Sequence, residues 1–115
     1  MTWYVGTREN KFRNRKTVVG GVKYDSKLEG NYANDLFLMK KAKEIKDWYP
    51  KPRYDLFGKN GKKICTIIPD FHVTTNDGSE EVHEVKSRIT QTPTWSIKRK
   101  LFEDNYPEIV YRVIL

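Results

Sequence analysis

The stretch that decides the fold runs from Lys63 to Ser87 and reads KICTIIPDFHVTTNDGSEEVHEVKS. Its first part, Lys63 to Thr75, is rich in β-branched and aromatic residues and predicts one long strand. Asn76-Asp77-Gly78 is the clearest hairpin turn signal in the chain, and Glu80 to Ser87 follows as the partner strand. The stretch therefore predicts an antiparallel hairpin.

A helix is predicted on the N-terminal side of the hairpin. Asp25 and Ser26 offer short polar caps, and Glu29 then falls in the first turn. Apolar residues at helical spacing continue this helix for about five turns toward Ile45: Leu28, Tyr32, Leu36 and Met39. Pro50 and Pro52 stop it, and residues 54–57 predict a short strand.

On the C-terminal side, Pro93 and Thr94 open a second predicted helix, which continues through Trp95 and Phe102. Pro107 separates this helix from a final strand, residues 109–115. The expected order is helix, three strands, helix, strand. We expect an α/β domain with a mixed central sheet flanked by helices, spanning residues 24–115.

Charge singles out residues 1–23 as a basic N-terminal arm. The 115-residue chain has 22 Lys and Arg against 15 Asp and Glu, a net charge of +7, which favours a polyanionic partner. The arm holds Arg13, Arg15 and Lys16 among few apolar residues. Its aromatic residues are Trp3, Tyr4 and Phe12. They suit three roles equally well: anchoring the arm to the rest of the chain, stacking on nucleic-acid bases, or packing against a partner subunit.

Composition also limits the compartment and the kind of metal site. The single cysteine, Cys65, excludes an intrachain disulfide and a multi-cysteine zinc site. No stretch approaches the roughly 20 apolar residues that span a bilayer. We expect a cytoplasmic protein without a membrane partner.

The predicted hairpin brings together a group of residues suited to phosphate chemistry. Asp70 lies on one strand, and alternation puts Glu84 and Lys86 on one face of the other, with Val85 turned away. Carboxylate oxygens bind Mg²⁺, which keeps waters and accepts phosphate oxygens. A lysine nearby can position water or neutralise the charge that develops on the phosphate.

Structural roles compete with this interpretation. Glu84 and Lys86 also suit a solvated ion pair, and Asp70 suits the start of a turn. Glu29 also suits a purely structural role, because an acidic side chain in the first turn stabilises a helix through its dipole. His72 and His83 suggest zinc only weakly, since His83 alternates away from Glu84.

Pro69-Asp70 followed by Glu84-Val85-Lys86 resembles the signature of the PD-(D/E)XK nucleases. The resemblance implies a restriction-endonuclease-like core. It implies that Asp70, Glu84 and the Val85 carbonyl hold Mg²⁺, with Mn²⁺ as an alternative, that Lys86 supports catalysis, and that Glu29 serves a second metal or a water.

From Val19 to the C-terminus the chain is similar to small phage-encoded members of this superfamily related to Holliday-junction resolvases. The likeness rests on Tyr24 to Glu29, Pro69 to Phe71, Asp77-Gly78, Glu84 to Lys86 and Lys98 to Phe102. Ser87 departs from it, because many relatives have glycine after the lysine. The likeness implies a homodimer that cuts branched DNA in the cytoplasm, which is the host's if the protein is phage-encoded.

Two basic groups are candidate DNA contacts. One is the arm residues Arg13, Arg15 and Lys16, and the other is Lys98, Arg99 and Lys100 on the second helix, whose competing role is a solvated helix face. Three alternatives to a resolvase stay open: a nuclease for other DNA ends, flaps or sites, a noncatalytic DNA-binding accessory of replication or packaging, and an RNA-binding module built on the arm.

Overall fold

The structure, a computed structural model, describes residues 26–85 and 92–114 in full and, before them, the backbone of three short strands within residues 3–24. Contacts divide the chain into two compact units, residues 1–44 and residues 45–115. The described residues form no helix long and apolar enough to cross a membrane.

The described part of the first unit contains a three-stranded antiparallel sheet and one helix. The strands are β1 (Trp3–Val5), β2 (Thr17–Val19) and β3 (Val22–Tyr24), in the order β1-β2-β3, and the helix is α1 (Lys27–Lys41). Helix α1 packs against β2 and β3. The segment predicted as a basic arm therefore contains regular strands.

The start of α1 confirms its predicted cap, whereas its end corrects the prediction. Ser26 is the N-cap, and its hydroxyl oxygen accepts a hydrogen bond from the Glu29 amide at 3.1 Å. The helix ends at Lys41, not near Ile45, because the backbone turns into the left-handed region at Lys43 (φ 62°). Amides there bond back to the last helical carbonyls, which closes the helix end.

The second unit is built on a mixed four-stranded sheet. Its strands are β4 (Asp47–Pro50), β7 (Phe71–Thr74), β8 (Glu80–Val85) and β9 (Val110–Ile114), in that spatial order. The pairs β4–β7 and β7–β8 are antiparallel, and β8–β9 is parallel. The strands β5 (Tyr54–Phe57) and β6 (Lys63–Ile67) form a separate two-stranded ribbon, and the helix is α2 (Pro93–Asn105). The expected α/β class with a mixed sheet and two helices is confirmed.

The long strand predicted from Lys63 to Thr75 is wrong, because the chain leaves the ribbon after Ile67 and enters the sheet at Phe71. Pro69 explains the break, since it has no amide hydrogen to donate to a ladder and restricts the residue before it. Strand β4 was not predicted either. It ends in Pro50 at the edge of the sheet, where proline is tolerated. The described residues between the helices thus form five strands instead of three.

The predicted hairpin is confirmed as β7–β8. Its turn is closed by a 2.9 Å hydrogen bond from the Thr75 amide to the Ser79 carbonyl. Gly78 adopts φ 89°, a conformation that glycine reaches without steric cost.

The core of the second unit lies between the sheet, the ribbon and α2. Leu56 and Phe102 are fully buried, and Val82 and Tyr111 join them from β8 and β9. Two side chains of α2 and that of its C-cap residue, Tyr106, tie the helix to the ribbon. Lys98 bonds the Thr66 carbonyl, Asn105 bonds both backbone groups of Phe57, and the Tyr106 hydroxyl bonds the Asp55 carbonyl. This packing fixes α2 beside the β5–β6 ribbon, and α2 also packs against β9.

Candidate active-site cleft

The two faces of β8 carry different chemistry. Glu84 shares its face with Val82 and so lies on the side of the core and α2. His83 and Glu81 turn to the opposite face, as the alternation predicts. Lys86, predicted to follow Glu84 on the same face, lies outside the described residues.

Asp70 occupies the link between the ribbon and the sheet. Its Oδ2 accepts a hydrogen bond from the Val85 amide at 2.7 Å, which joins the start of β7 to the end of β8. The Asp70 carbonyl accepts a hydrogen bond from the Lys51 amide at 2.8 Å. The break in the predicted strand therefore places the aspartate at a sheet junction, with its backbone and its carboxylate both fixed.

Glu84 is buried, with 6% of its surface exposed. Its Oε1 accepts hydrogen bonds from the Tyr111 hydroxyl at 2.9 Å and from the Trp95 indole nitrogen at 3.3 Å. The same indole N–H lies 3.2 Å from the Tyr111 hydroxyl oxygen. Donors from β9 and α2 thus hold one carboxylate oxygen of Glu84, which restricts the side chain to one orientation.

The donors themselves are held in place by packing. Burial and the neighbouring Glu84 carboxylate raise the pKa of Tyr111 far above its usual value, so its hydroxyl stays protonated and donates. The Arg99 guanidinium lies 5.8 Å from the Trp95 ring centre and 5.2 Å from that of Tyr111, within cation–π range. Arg99 thus covers the aromatic pair that orients Glu84.

Asp70 and Glu84 line one open cleft of about 440 Å³ in the second unit. Its other walls come from the end of β6 and the first turns of α2, and they include Thr66, Ile68, Thr92, Thr94, Trp95 and Lys98. The Lys98 ammonium group donates to the Thr66 carbonyl at 3.2 Å. Two carboxylates and one ammonium group therefore border the same space.

The three basic residues predicted on α2 have different surroundings. Lys98 is partly buried at the cleft, Lys100 is exposed, and Arg99 packs on aromatic rings and lies 3.8 Å from the Glu103 carboxylate. Arg13, Arg15 and Lys16 lie outside the described residues. Glu29 stands in the first turn of α1, in the other compact unit, and its metal role stays a prediction.

The ligand types that the cleft offers a metal ion are the carboxylates of Asp70 and Glu84. Within residues 26–85 and 92–114, no three His, Cys, Asp or Glu side chains are grouped to hold a metal. Structural zinc needs such a closed set of ligands. Mg²⁺ is commonly bound by one or two carboxylates together with waters and substrate phosphate oxygens, which Asp70 and Glu84 match.

The two histidines make other contacts. His72 Nε2 lies 3.0 Å from Glu80 Oε1, and His83 Nε2 lies 2.9 Å from Glu81 Oε1. Burial lowers the pKa of His83, against the opposing effect of Glu81. These pairings fit structural roles in the sheet.

Sequence reasoning missed Tyr111 and placed Trp95 only as a residue of the second helix. A signal for Tyr111 was present, because it lies in the apolar strand VYRVI and a buried tyrosine hydroxyl requires a partner. The sequence did not indicate which acid would be that partner.

Comparison with known proteins gives one match. The model of a family described as "Protein of unknown function (DUF1064)" matches residues 9–115. No curated protein and no solved structure matches the chain.

Proposed function

The chain belongs to the DUF1064 family, and we propose that it is a metal-dependent endonuclease that hydrolyses phosphodiester bonds of structured DNA. The observation that carries the proposal is that Asp70 and Glu84 line one cleft, where the Val85 amide donates a hydrogen bond to Asp70 Oδ2. The proposal includes membership of the PD-(D/E)XK superfamily and a restriction-endonuclease-like core. The chain order of α1, the antiparallel β7–β8 pair, α2 and the parallel strand β9 supports it.

The residues of the cleft have distinct parts in this reaction. Asp70, fixed through Oδ2, and Glu84, fixed through Oε1, would hold the metal together with the Val85 carbonyl. A bound Mg²⁺ supplies Lewis-acid stabilisation of the phosphate and a water of lowered pKa. Because the carboxylates are oriented by hydrogen bonds before substrate arrives, little reorganisation is needed during the reaction.

Among the described residues, Lys98 is the cation best placed to bind a phosphate in the cleft. It borders the cleft, and its tether to Thr66 restricts its long side chain. An ammonium group so placed can attract a DNA phosphate and offset the negative charge of Asp70 and Glu84. Lys86, by the resemblance to PD-(D/E)XK nucleases, would add a second ammonium group near the reacting phosphate.

Branched DNA is the first-choice substrate. Resolving a four-way junction needs two cuts on opposed strands, and the cleft provides one site per chain. The proposal therefore includes a two-fold homodimer, in which each subunit cuts one strand. The net charge of +7 favours DNA binding whose affinity falls steeply with added salt.

Cleavage of labelled DNA by the full chain tests the proposal. A four-way junction, a linear duplex and a single strand are incubated with Mg²⁺, with chelator, and with the Asp70→Asn variant. We expect paired nicks in the junction that require Mg²⁺, and a loss of at least about 100-fold in Asp70→Asn. A junction that is bound but left intact with every metal, and bound equally by Asp70→Asn, would contradict catalysis and favour a DNA-binding accessory.

A further inference from the structure

A pair of stacked aromatic rings lies at the edge of the sheet in the second unit. Tyr49 on β4 is directly opposite His72 on β7. Their ring centres are 4.6 Å apart, and the ring planes differ by 20°. Tyr49 is 50% exposed although His72 covers one side of its ring, so much of the remaining surface faces solvent.

His72 gives this stack a rigid base. The residue is 5% exposed, and its Nε2 bonds the Glu80 carboxylate at 3.0 Å. A ring held in this way fixes the orientation of the ring stacked on it, so Tyr49 loses little further freedom when a planar ligand covers it. Preorganisation of this kind reduces the entropic cost of binding.

Two backbone connections link the stacked pair to Asp70, which lines the cleft. His72 follows Asp70 by two residues, which corresponds to about 7 Å of extended chain. Tyr49 precedes Lys51 by two residues, and the Lys51 amide bonds the Asp70 carbonyl. Tyr49 and Asp70 therefore lie near each other on backbone segments that this hydrogen bond joins.

The surroundings of the stack suit a polyanion. Lys51 and Arg53 follow β4 directly, and both are exposed. The backbone is left-handed at Lys51 (φ 53°), the residue that follows β4. Exposed aromatic rings with cations beside them are the usual combination in proteins that bind unpaired nucleotides.

From these contacts we propose that Tyr49, supported by His72, is a stacking platform for an unpaired nucleobase of the DNA strand held in the cleft. The platform rests on the proposed nuclease function and specifies its substrate further. A base can stack on Tyr49 only where it is not paired within a duplex, so the platform favours DNA with an unpaired nucleotide near the cleaved phosphate.

Fluorescence of 2-aminopurine tests the platform without requiring cleavage. The probe base is placed at an unpaired position in a gapped duplex, and at a paired position in a matched continuous duplex. Both DNAs are titrated with the full chain in chelator. The variants are Tyr49→Leu, Tyr49→Trp and, as a control for loss of an exposed aromatic ring elsewhere, Phe57→Leu, whose native ring is 39% exposed on the ribbon.

We expect the wild-type chain to quench the unpaired probe more than the paired probe. Tyr49→Leu should bind the gapped duplex roughly 10-fold more weakly and lose the quenching, whereas Tyr49→Trp and Phe57→Leu should keep both. Wild-type affinity and quenching in Tyr49→Leu would overturn the platform, as would equal losses on the gapped and continuous duplexes.

The cleavage assay separates the two proposals. Metal-dependent cleavage that needs Asp70, without any dependence of quenching on Tyr49, would overturn the platform and leave the nuclease in place. Quenching that needs Tyr49, in a chain that cuts no DNA with any metal, would support the platform and overturn the nuclease.

Discussion

Two glutamates on opposite faces of β8 have different hydrogen-bond partners. Glu81 accepts hydrogen bonds from the Arg112 guanidinium at 3.0 and 3.3 Å and lies 2.9 Å from His83 Nε2. Glu84, three residues later, accepts its described hydrogen bonds from two neutral groups, the Tyr111 hydroxyl and the Trp95 indole.

The difference separates a structural acid from a candidate functional one. A cation within the sheet balances the charge of Glu81. Neutral donors orient Glu84 without cancelling its charge, and the side chain borders a cleft open to solvent. A carboxylate buried in this way gains free energy when a cation reaches it. This difference supports the proposed metal site on the Glu84 face and gives the Glu81 face a structural role.

Among variants that keep both carboxylates of the cleft, the largest effect is expected from Tyr111→Phe. The change removes the shortest hydrogen bond to Glu84 and leaves the ring in the core. By the magnitudes typical of residues that orient metal ligands, Mg²⁺-dependent cleavage should fall about 10- to 100-fold, with a matching rise in the Mg²⁺ concentration at half-maximal rate. The loss of unfolding free energy should be only about 1 kcal/mol.

Tyr106→Phe provides the matched control. Its hydroxyl bonds the Asp55 carbonyl at 2.8 Å, in the same aromatic cluster but away from Glu84. This variant should lose a similar amount of stability in a denaturant titration and keep the wild-type dependence on Mg²⁺. Equal metal dependence in the two variants would show that Tyr111 does not orient Glu84.

A smaller effect is expected on the other face of β8, from the titration of His83. Burial lowers the pKa of this imidazole below its usual 6.5, so the unfolded chain binds a proton more readily than the folded chain. The stabilising contribution of neutral His83 is therefore present above pH 6.5 and is lost as the pH falls through the lowered folded pKa.

Denaturant titrations between pH 7 and pH 5.5 measure this contribution. His83→Gln should show a shallower fall of unfolding free energy with decreasing pH than the wild-type chain, whatever its absolute stability. Parallel pH profiles would exclude His83 as the source of the slope.

Local signals in the sequence predicted the features whose conformation depends on neighbouring residues. Asn76-Asp77-Gly78 predicted the β7–β8 turn because its residues suit the backbone that a turn requires. Ser26 predicted the start of α1 because a hydroxyl at that position satisfies a free amide. Alternation in β8 placed Glu84 and His83 on opposite faces correctly.

Features that depend on distant parts of the chain could not be predicted in the same way. The composition of residues 63–75 favours a strand throughout, and only Pro69 indicates that two different sheets share it. Partners such as Tyr111 for Glu84, or aromatic rings for Arg99, arise from tertiary packing. Helical position alone gave Lys98, Arg99 and Lys100 the same role, although the structure gives each a different environment.

The most direct test of the account compares Glu84→Gln with Glu81→Gln in Mg²⁺-dependent cleavage of a four-way junction. Each change removes one charge from β8 and keeps the shape of the side chain. We predict that Glu84→Gln loses on the order of 100-fold in cleavage rate, and that Glu81→Gln keeps the rate per folded molecule while losing about 1–2 kcal/mol of unfolding free energy. Wild-type cleavage by Glu84→Gln, or an equal loss in both variants, would contradict the assignment of the cleft as the metal site.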